Sequence, residues 1–320
     1  MKDRIDQIYP LIKDRLIVTD LVHHPELSTK TDTKLHLKLE HQQITGSFKI
    51  RGALSKFRAL EDEFTSIPEV VTASTGNHAV AVCLAAEYYQ CKPTVFVPET
   101  ITTWKLDKLE ATGANIKIEG KHSGEAEFLS IQYARKLGLP LIHPYSDLHV
   151  MAGQGTIGLE ILAQNPEVEV VFVPVGGGGL ISGIAGYLKA VNRNLKIIGV
   201  QPENASEMAD SIKVNSIVPP SKKSTISDGT AGGLDPNALT FEYCKHLVDD
   251  FVLVSESEIV EALKLQEEYA GLVVEPSAAL ALAGLIKNRY RVRGMNCVLI
   301  ICGGNILPAD FRQIVDNNEI

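Results

Sequence analysis

Four short runs carry the side chains best equipped for chemistry. The first is Ser47-Phe48-Lys49-Ile50-Arg51-Gly52, a lysine and an arginine set among small and apolar neighbours. A lysine held in apolar surroundings loses proton affinity, and its neutral amine can then form a Schiff base with a carbonyl compound. A solvated lysine with no role is the plain alternative. The second run, Ala73-Ser74-Thr75-Gly76-Asn77-His78, brings hydroxyls, an amide and an imidazole to the end of a β-branched stretch. Backbone N–H groups at the start of the following helix suit an anion such as a substrate carboxylate, although Ser74 or Thr75 would serve equally as a simple helix cap. His78 taken alone reads as a packed helix residue.

The third run is Gly176-Gly177-Gly178-Gly179, between a valine-rich stretch and an apolar helical one. Residues without Cβ let N–H groups crowd round a phosphate at the positive end of a helix. The spacing is neither G-x-G-x-x-G with its acidic partner nor a Walker loop, which disfavours a nucleotide. A tight strand-to-helix turn with no ligand stays open. The fourth run, Cys302-Gly303-Gly304-Asn305, ends an apolar stretch, where open α/β sheets carry their ligands. Cys302 reads either as a ligand-facing thiol or as a buried structural one.

Elements that could position these runs follow from periodicity. Short stretches rich in Val and Ile at 70–73, 93–97, 116–118, 168–175, 196–200, 251–254 and 297–302 predict strands. Helical spacing covers 77–89, 123–137, 155–163, 180–191, 256–269 and 276–290, and the N-terminal residues alternate charged and apolar side chains at the same period. The alternation is the βαβ signature of a parallel sheet. Ser255-Glu256-Ser257-Glu258 predicts a capped helix start with carboxylates where the dipole favours them. Residues 211–235 read as a long surface excursion, a class of loop that is often functional.

Composition narrows the class. With 320 residues, 45% hydrophobic and 22% charged, the chain has the make-up of a globular protein of one large α/β unit or two lobes. A net charge of −8 offers no basic face for a phosphate backbone, so no nucleic-acid partner is expected. The uncharged stretch 170–188 approaches the length of a membrane span, but Pro174 and the four glycines would break it. No membrane partner is therefore expected. Five cysteines without CxxC or zinc-like spacing, and an N-terminus lacking a secretory apolar core, predict a reducing, cytoplasmic setting.

In this order, Ser-Phe-Lys-x-Arg-Gly, Ser-Thr-Gly-Asn-His, the four glycines, Glu275-Pro276-Ser277 and Cys-Gly-Gly-Asn resemble the fold type II pyridoxal-phosphate enzymes, in the serine/threonine dehydratase and serine racemase group. The resemblance runs from the N-terminal helix to Ile306. It implies an α/β fold like that of the tryptophan synthase β chain, with two unequal open-sheet lobes around a cofactor cleft. Residues 1–60 and 148–320 would make the large lobe, and 61–147 a small mobile one. Lys49 matches the lysine that binds pyridoxal 5'-phosphate covalently, Phe48 its aromatic neighbour, and Asn77 the amide facing the pyridine hydroxyl. Gly176, Gly177, Gly178 and Gly179 match the phosphate cup, and Cys302 the residue facing the ring nitrogen. Ser74, Thr75, Gly76 and His78 match the loop that takes the substrate carboxylate.

The activity so implied is an ammonia-lyase, converting a small-molecule β-hydroxy amino acid, L-threonine or L-serine, to a 2-oxo acid and ammonia. Lys49 would take the Cα proton, and the cofactor phosphate would assist loss of the hydroxyl. Thr75 stands where racemases of the group carry a catalytic serine and many threonine dehydratases an alanine, so serine racemisation is the alternative. Asp228-Gly229-Thr230-Ala231-Gly232-Gly233 departs from the commoner pattern and opens the choice to 3-hydroxyaspartate or phenylserine. A divalent cation, magnesium or calcium, is implied on 201–207, with Ala205 and Glu207 as ligands. Gln201 stands where an acidic ligand is usual, and hard cations prefer charged oxygens. A homodimer is implied as well, and feedback control by isoleucine is not. Outside the group, a nicotinamide dehydrogenase lacks its fingerprint acid, and a silent metabolite-binding relative would not need the competent residues present.

Overall fold

The computed structural model describes residues 1–316. Its strands are β1 (Leu21–His23), β2 (Lys34–Lys38), β3 (Val70–Ala73), β4 (Pro93–Val97), β5 (Asn115–Ile118), β6 (Val170–Pro174), β7 (Lys196–Pro202), β8 (Asp250–Val254) and β9 (Asn296–Ile300). Six of them form one sheet in the order β1-β2-β9-β6-β7-β8, and β3-β4-β5 form a second. Every pairing is parallel except β1 with β2. β3, β4, β6 and β9 are buried along their whole length, as parallel strands covered by helices on both faces must be. That burial is why they read as unbroken apolar runs.

The helices are α1 (Lys2–Ile12), α2 (Pro25–Thr31), α3 (Lys49–Glu63), α4 (Asn77–Tyr88), α5 (Thr103–Glu110), α6 (Ser123–Leu137), α7 (Leu148–Gln164), α8 (Gly179–Val191), α9 (Glu207–Val214), α10 (Leu239–Leu247), α11 (Glu256–Ala270), α12 (Pro276–Asn288) and α13 (Pro308–Asp316). The Ser255 pattern does start α11 with a capping box: Glu258 N–H donates to Ser255 Oγ, and Ser255 N–H to the Glu258 carboxylate at 2.7 Å. α7 starts seven residues before the expected 155, because Asp147 caps it by accepting from His149 and Val150 N–H. The expected strand 297–302 stops at Ile300, leaving Cys302 in the loop beyond.

β1, β2 and α3 escape the periodic reading. β2 is Lys-Leu-His-Leu-Lys, and its Lys38 is fully buried. Lys38 Nζ donates to Glu160 at 2.6 Å and to the Thr19 carbonyl at 2.6 Å. Beside it Arg51, also fully buried, forks between two carboxylates. Nε and one terminal nitrogen reach Glu40 at 2.7 and 2.8 Å, and both terminal nitrogens reach Glu160 at 2.7 and 2.8 Å. Burial alone would raise Glu40, but the Arg51 guanidinium outweighs it and holds the carboxyl below its usual range. The network ties β2, the turn at Glu40, α3 and α7 together two residues from Lys49. α3 then lies so close to α7 that a Cβ on Gly153 would come within 2.2 Å of the Arg51 carbonyl oxygen.

Arg51→Met leaves Glu40 buried without its cation. The expected loss is about 3–5 kcal/mol, read as a lowered denaturation midpoint with an unchanged slope; a variant as stable as the parent would contradict the role given to this fork.

Candidate active site

Three of the four runs meet at the C-terminal ends of parallel strands: Ser74 to His78 after β3, the glycines after β6, and Cys302 after β9. They line a cavity of about 450 Å³ between the two sheets. Lys49, the fourth, is placed by a strand-like contact in the loop before α3. Ser47 bridges Gly303, and Phe48 N–H donates to the Cys302 carbonyl at 3.1 Å. Lys49 Nζ lies 5.3 Å from the centre of the Phe48 ring and donates to the Pro144 carbonyl at 2.9 Å. Burial lowers its amine to about 8, opposed by Cys302, Glu275 and Glu127.

α4 begins at Asn77 with Gly76 as its N-cap and no side-chain cap. Ser74 Oγ instead accepts from Gly76 N–H at 3.1 Å, a local turn. The capping alternative is thereby removed, and the first amides of α4 stay free for an anion in the cavity. Thr75 lines the same wall. His78 is different: it is buried, its Nε2 donates to the Ile142 carbonyl at 3.0 Å, and burial lowers it to about 3. The imidazole expected to meet a substrate carboxylate is uncharged and committed to the core, so position 78 offers an anion only its backbone.

At the glycine run a side chain has no room. A Cβ on Gly177 would lie 2.3 Å from the Tyr145 ring, and Gly178 has φ +84°. Tyr145 is held there because its hydroxyl accepts from Asp235 N–H at 2.7 Å. The first helical bond of α8 runs from Ser182 N–H to the Gly178 carbonyl, which leaves the preceding amides without helical partners.

The family model for pyridoxal-phosphate dependent enzymes matches residues 12–303. The chain belongs to the pyridoxal-phosphate dependent enzyme family. Its cofactor is pyridoxal 5'-phosphate, its fold is type II, and it is a carbon–oxygen lyase. An L-threonine ammonia-lyase of Thermotoga maritima is 42% identical over 302 residues, covering 94% of this chain and 75% of that one. The catabolic L-threonine dehydratase of Staphylococcus aureus N315 is 40% identical over 306 residues, covering 94% and 88%. Among solved structures, maize serine racemase superposes with TM-score 0.90 at 32% identity, covering 98% and 95%. The processed threonine deaminase isoform 2 of Solanum lycopersicum gives TM-score 0.90 at 34% identity, covering 99% and 88%.

The residues of this pyridoxal-phosphate enzyme fit the cofactor. Lys49 offers a partly neutral amine, the glycine run a cradle that a Cβ would fill, and Phe48 an aromatic wall. Cys302 is buried, and burial holds its thiol well above the ordinary range, so it stands as a neutral group. Asn77 is more constrained than expected: its Nδ2 donates to both Glu275 oxygens at 3.0 and 2.9 Å, and its Oδ1 accepts from Asn305 at 2.6 Å. Lys108 donates to that same Asn305 at 3.0 Å. Burial pushes the Glu275 carboxyl up to about 7 against the pull of Asn77.

The cation ligands expected on 201–207 are otherwise engaged. Gln201 Nε2 donates to the Ala205 carbonyl at 3.3 Å, and Glu207 accepts from Ser221 N–H at 2.8 Å. Gln201 is tied to the same turn at its other end, its Oε1 accepting from Ala209 N–H at 2.9 Å, so it brings an amide where a hard cation prefers a charged oxygen.

Sequence reading gave no role to Glu275, Asn305, Tyr145, Lys108 or Glu127, all of which line the cavity. Glu275 did carry a signal, an acidic residue before a proline that opens α12. Glu127, inside an amphipathic helix, carried none.

Reconstitution needs the neutral amine of Lys49. The rate at which cofactor-free chain takes up pyridoxal phosphate, followed by visible absorbance, is expected to rise with pH and level off above about 8. A rate still climbing steeply at pH 9 would show an ordinary lysine.

Proposed function

We propose that this enzyme is an ammonia-lyase that converts L-threonine, and also L-serine, to the 2-oxo acid and ammonia. One observation carries the reading. The Lys49 amine and the uncapped start of α4 with the Ser74–Gly76 loop line one cavity, so a single amino acid can meet a base and an anion site together. The relatives named threonine ammonia-lyase and threonine dehydratase support the choice of substrate.

When bound, pyridoxal phosphate supplies a conjugated system able to accept the electron pair left at Cα. The chain's own part is orientation and proton transfer. The free amides of α4 hold the substrate carboxylate. Lys49, poised near neutrality, accepts the Cα proton as general base. Cys302, kept as a thiol, adds no negative charge to the cavity. Gly232 and Gly233 line the cavity without side chains and leave room for the methyl group of threonine. Thr75 places a hydroxyl on the cavity wall, which supports a minor racemase activity.

In this reading residues 61–147 are the smaller, closing unit and 1–60 with 148–320 the larger. Lys105 on α5 already reaches Asp228 at 2.8 Å across the cavity. A homodimer in the cytoplasm completes it, with light scattering as the test of assembly.

A coupled 2-oxo-acid assay across threonine, serine, 3-hydroxyaspartate and phenylserine, in both enantiomers, tests the substrate. L-threonine is expected to turn over fastest, and Lys49→Ala to lose about a thousandfold or more. Release of no 2-oxo acid from L-threonine or L-serine would contradict the reading.

A further inference from the structure

A site for a metal ion needs free lone pairs as well as ligand-bearing side chains. Beside the cavity, ligand atoms of Glu127 on α6, His143 after α6 and Asp235 before α10 all lie within 4.8 Å of one another. His143 Nδ1 accepts from Ser146 N–H at 2.9 Å and from Tyr145 N–H at 3.3 Å, so the neutral ring keeps its hydrogen on Nε2. That imidazole has no lone pair to give an ion. A pair of histidines at the β1 edge of the six-stranded sheet does.

In the antiparallel pair β1–β2, His23 lies directly opposite His36. The flanking backbone bonds run from His24 N–H to the Leu35 carbonyl at 2.9 Å and from Leu39 N–H to the Asp20 carbonyl at 3.0 Å. Bonded and unbonded pairs alternate along such a ladder, so 23 with 36 is an unbonded pair, where opposing side chains come closest. The two ring centres are 5.1 Å apart with their planes inclined at 50°. An ion about 2 Å from one nitrogen of each ring, with a tetrahedral angle between them, puts the ring centres roughly 5 Å apart. The pair therefore already has the spread that a shared ion requires.

Both rings have a lone pair to offer. His36 is half-buried, and its Nδ1 is buried with no hydrogen-bond partner among the described residues. Burial and then His23 lower its proton affinity, against backbone groups of Lys34 and Cys297 and the Asn296 side chain, so the ring is neutral at pH 7. His23 is exposed, with Nε2 3.4 Å from Ser28 Oγ. Ser28 spends its one proton on the His24 carbonyl at 2.7 Å, so towards His23 it can only accept. His23 then carries its hydrogen on Nε2 and keeps the Nδ1 lone pair, the way an outer partner fixes the tautomer of a ligating imidazole. Two imidazoles without a carboxylate suit copper, nickel or zinc and not magnesium or calcium.

We propose that His23 and His36 bind one divalent late transition-metal ion, copper, nickel or zinc, which clips the edge strand β1 to β2. Water fills the remaining positions on the exposed side. The clip holds the strand that runs into Lys38 and the Glu40 turn, and it leaves the cavity untouched.

Zinc titrated calorimetrically into the holoenzyme tests the site. A single equivalent is expected to bind, undisturbed by excess magnesium. Losing a ligand costs at least what losing a ligand's hydrogen-bond partner does, so His23→Ser and His36→Gln should each weaken binding about tenfold or more. Because His23 is exposed, His23→Ser leaves the fold and the metal-free turnover number as they are. Copper(II), which should bind most tightly of the three, gives the direct view: the electron paramagnetic resonance spectrum of the holoenzyme with less than one equivalent should show splitting from two imidazole nitrogens. Zinc should also slow amide exchange at His24 N–H, beside the clipped pair. Binding unaltered in both variants, copper coupled to one nitrogen or none, or unchanged exchange at His24 would each overturn the proposal. None of these readouts depends on which amino acid the cavity accepts.

Discussion

Arg51 between Glu40 and Glu160 is the interaction on which the placement of the site rests. A guanidinium with no exposure can stay charged only if its donors all find acceptors, and the two carboxylates with Thr156 supply them. The fork fixes the angle between the start of α3 and α7. Lys49 stands two residues earlier, on the first turn, so its reach into the cavity is set by a network that never touches substrate. A lysine at this position would offer one point charge where the fork makes a planar set of bonds to both partners.

The cavity uses the same low dielectric in the opposite sense. Around Arg51 every charge is paired; around Lys49 several groups are left where burial favours their neutral forms. The amine is lowered, and the carboxyls of Glu275 and Glu127 are raised. Groups with converging proton affinities exchange protons at small cost, which is what an elimination requires of its surroundings. The glycine run contributes by absence, since Tyr145 occupies the space that any Cβ on Gly177 would need.

Much of this could be seen in the sequence. The long parallel strands were legible because burial on both faces leaves an unbroken Val and Ile run, as in β4 and β6. The chemical runs were legible as motifs whose order, more than any one residue, pointed to the family. What stayed hidden had particular causes. β2 carries two lysines and a histidine, and the burial of Lys38 depends on Glu160, more than a hundred residues away. α3 starts at residues chosen for the site and not for helix propensity. His78 sits in a motif, yet its ring is turned into the core by Ile142, a partner no spacing rule could name. Glu127 and Asp235 meet only because α6 and the loop before α10 converge, so neither could be singled out beforehand.

The central claim is that Lys49 is the residue that holds the cofactor at this cavity. Borohydride reduction of the holoenzyme, followed by digestion and mass spectrometry, fixes the bond permanently and locates it. The account predicts the pyridoxyl group on the peptide containing Lys49 and on no other lysine. Recovery on a different lysine, or an unmodified Lys49 after complete reduction, would contradict it.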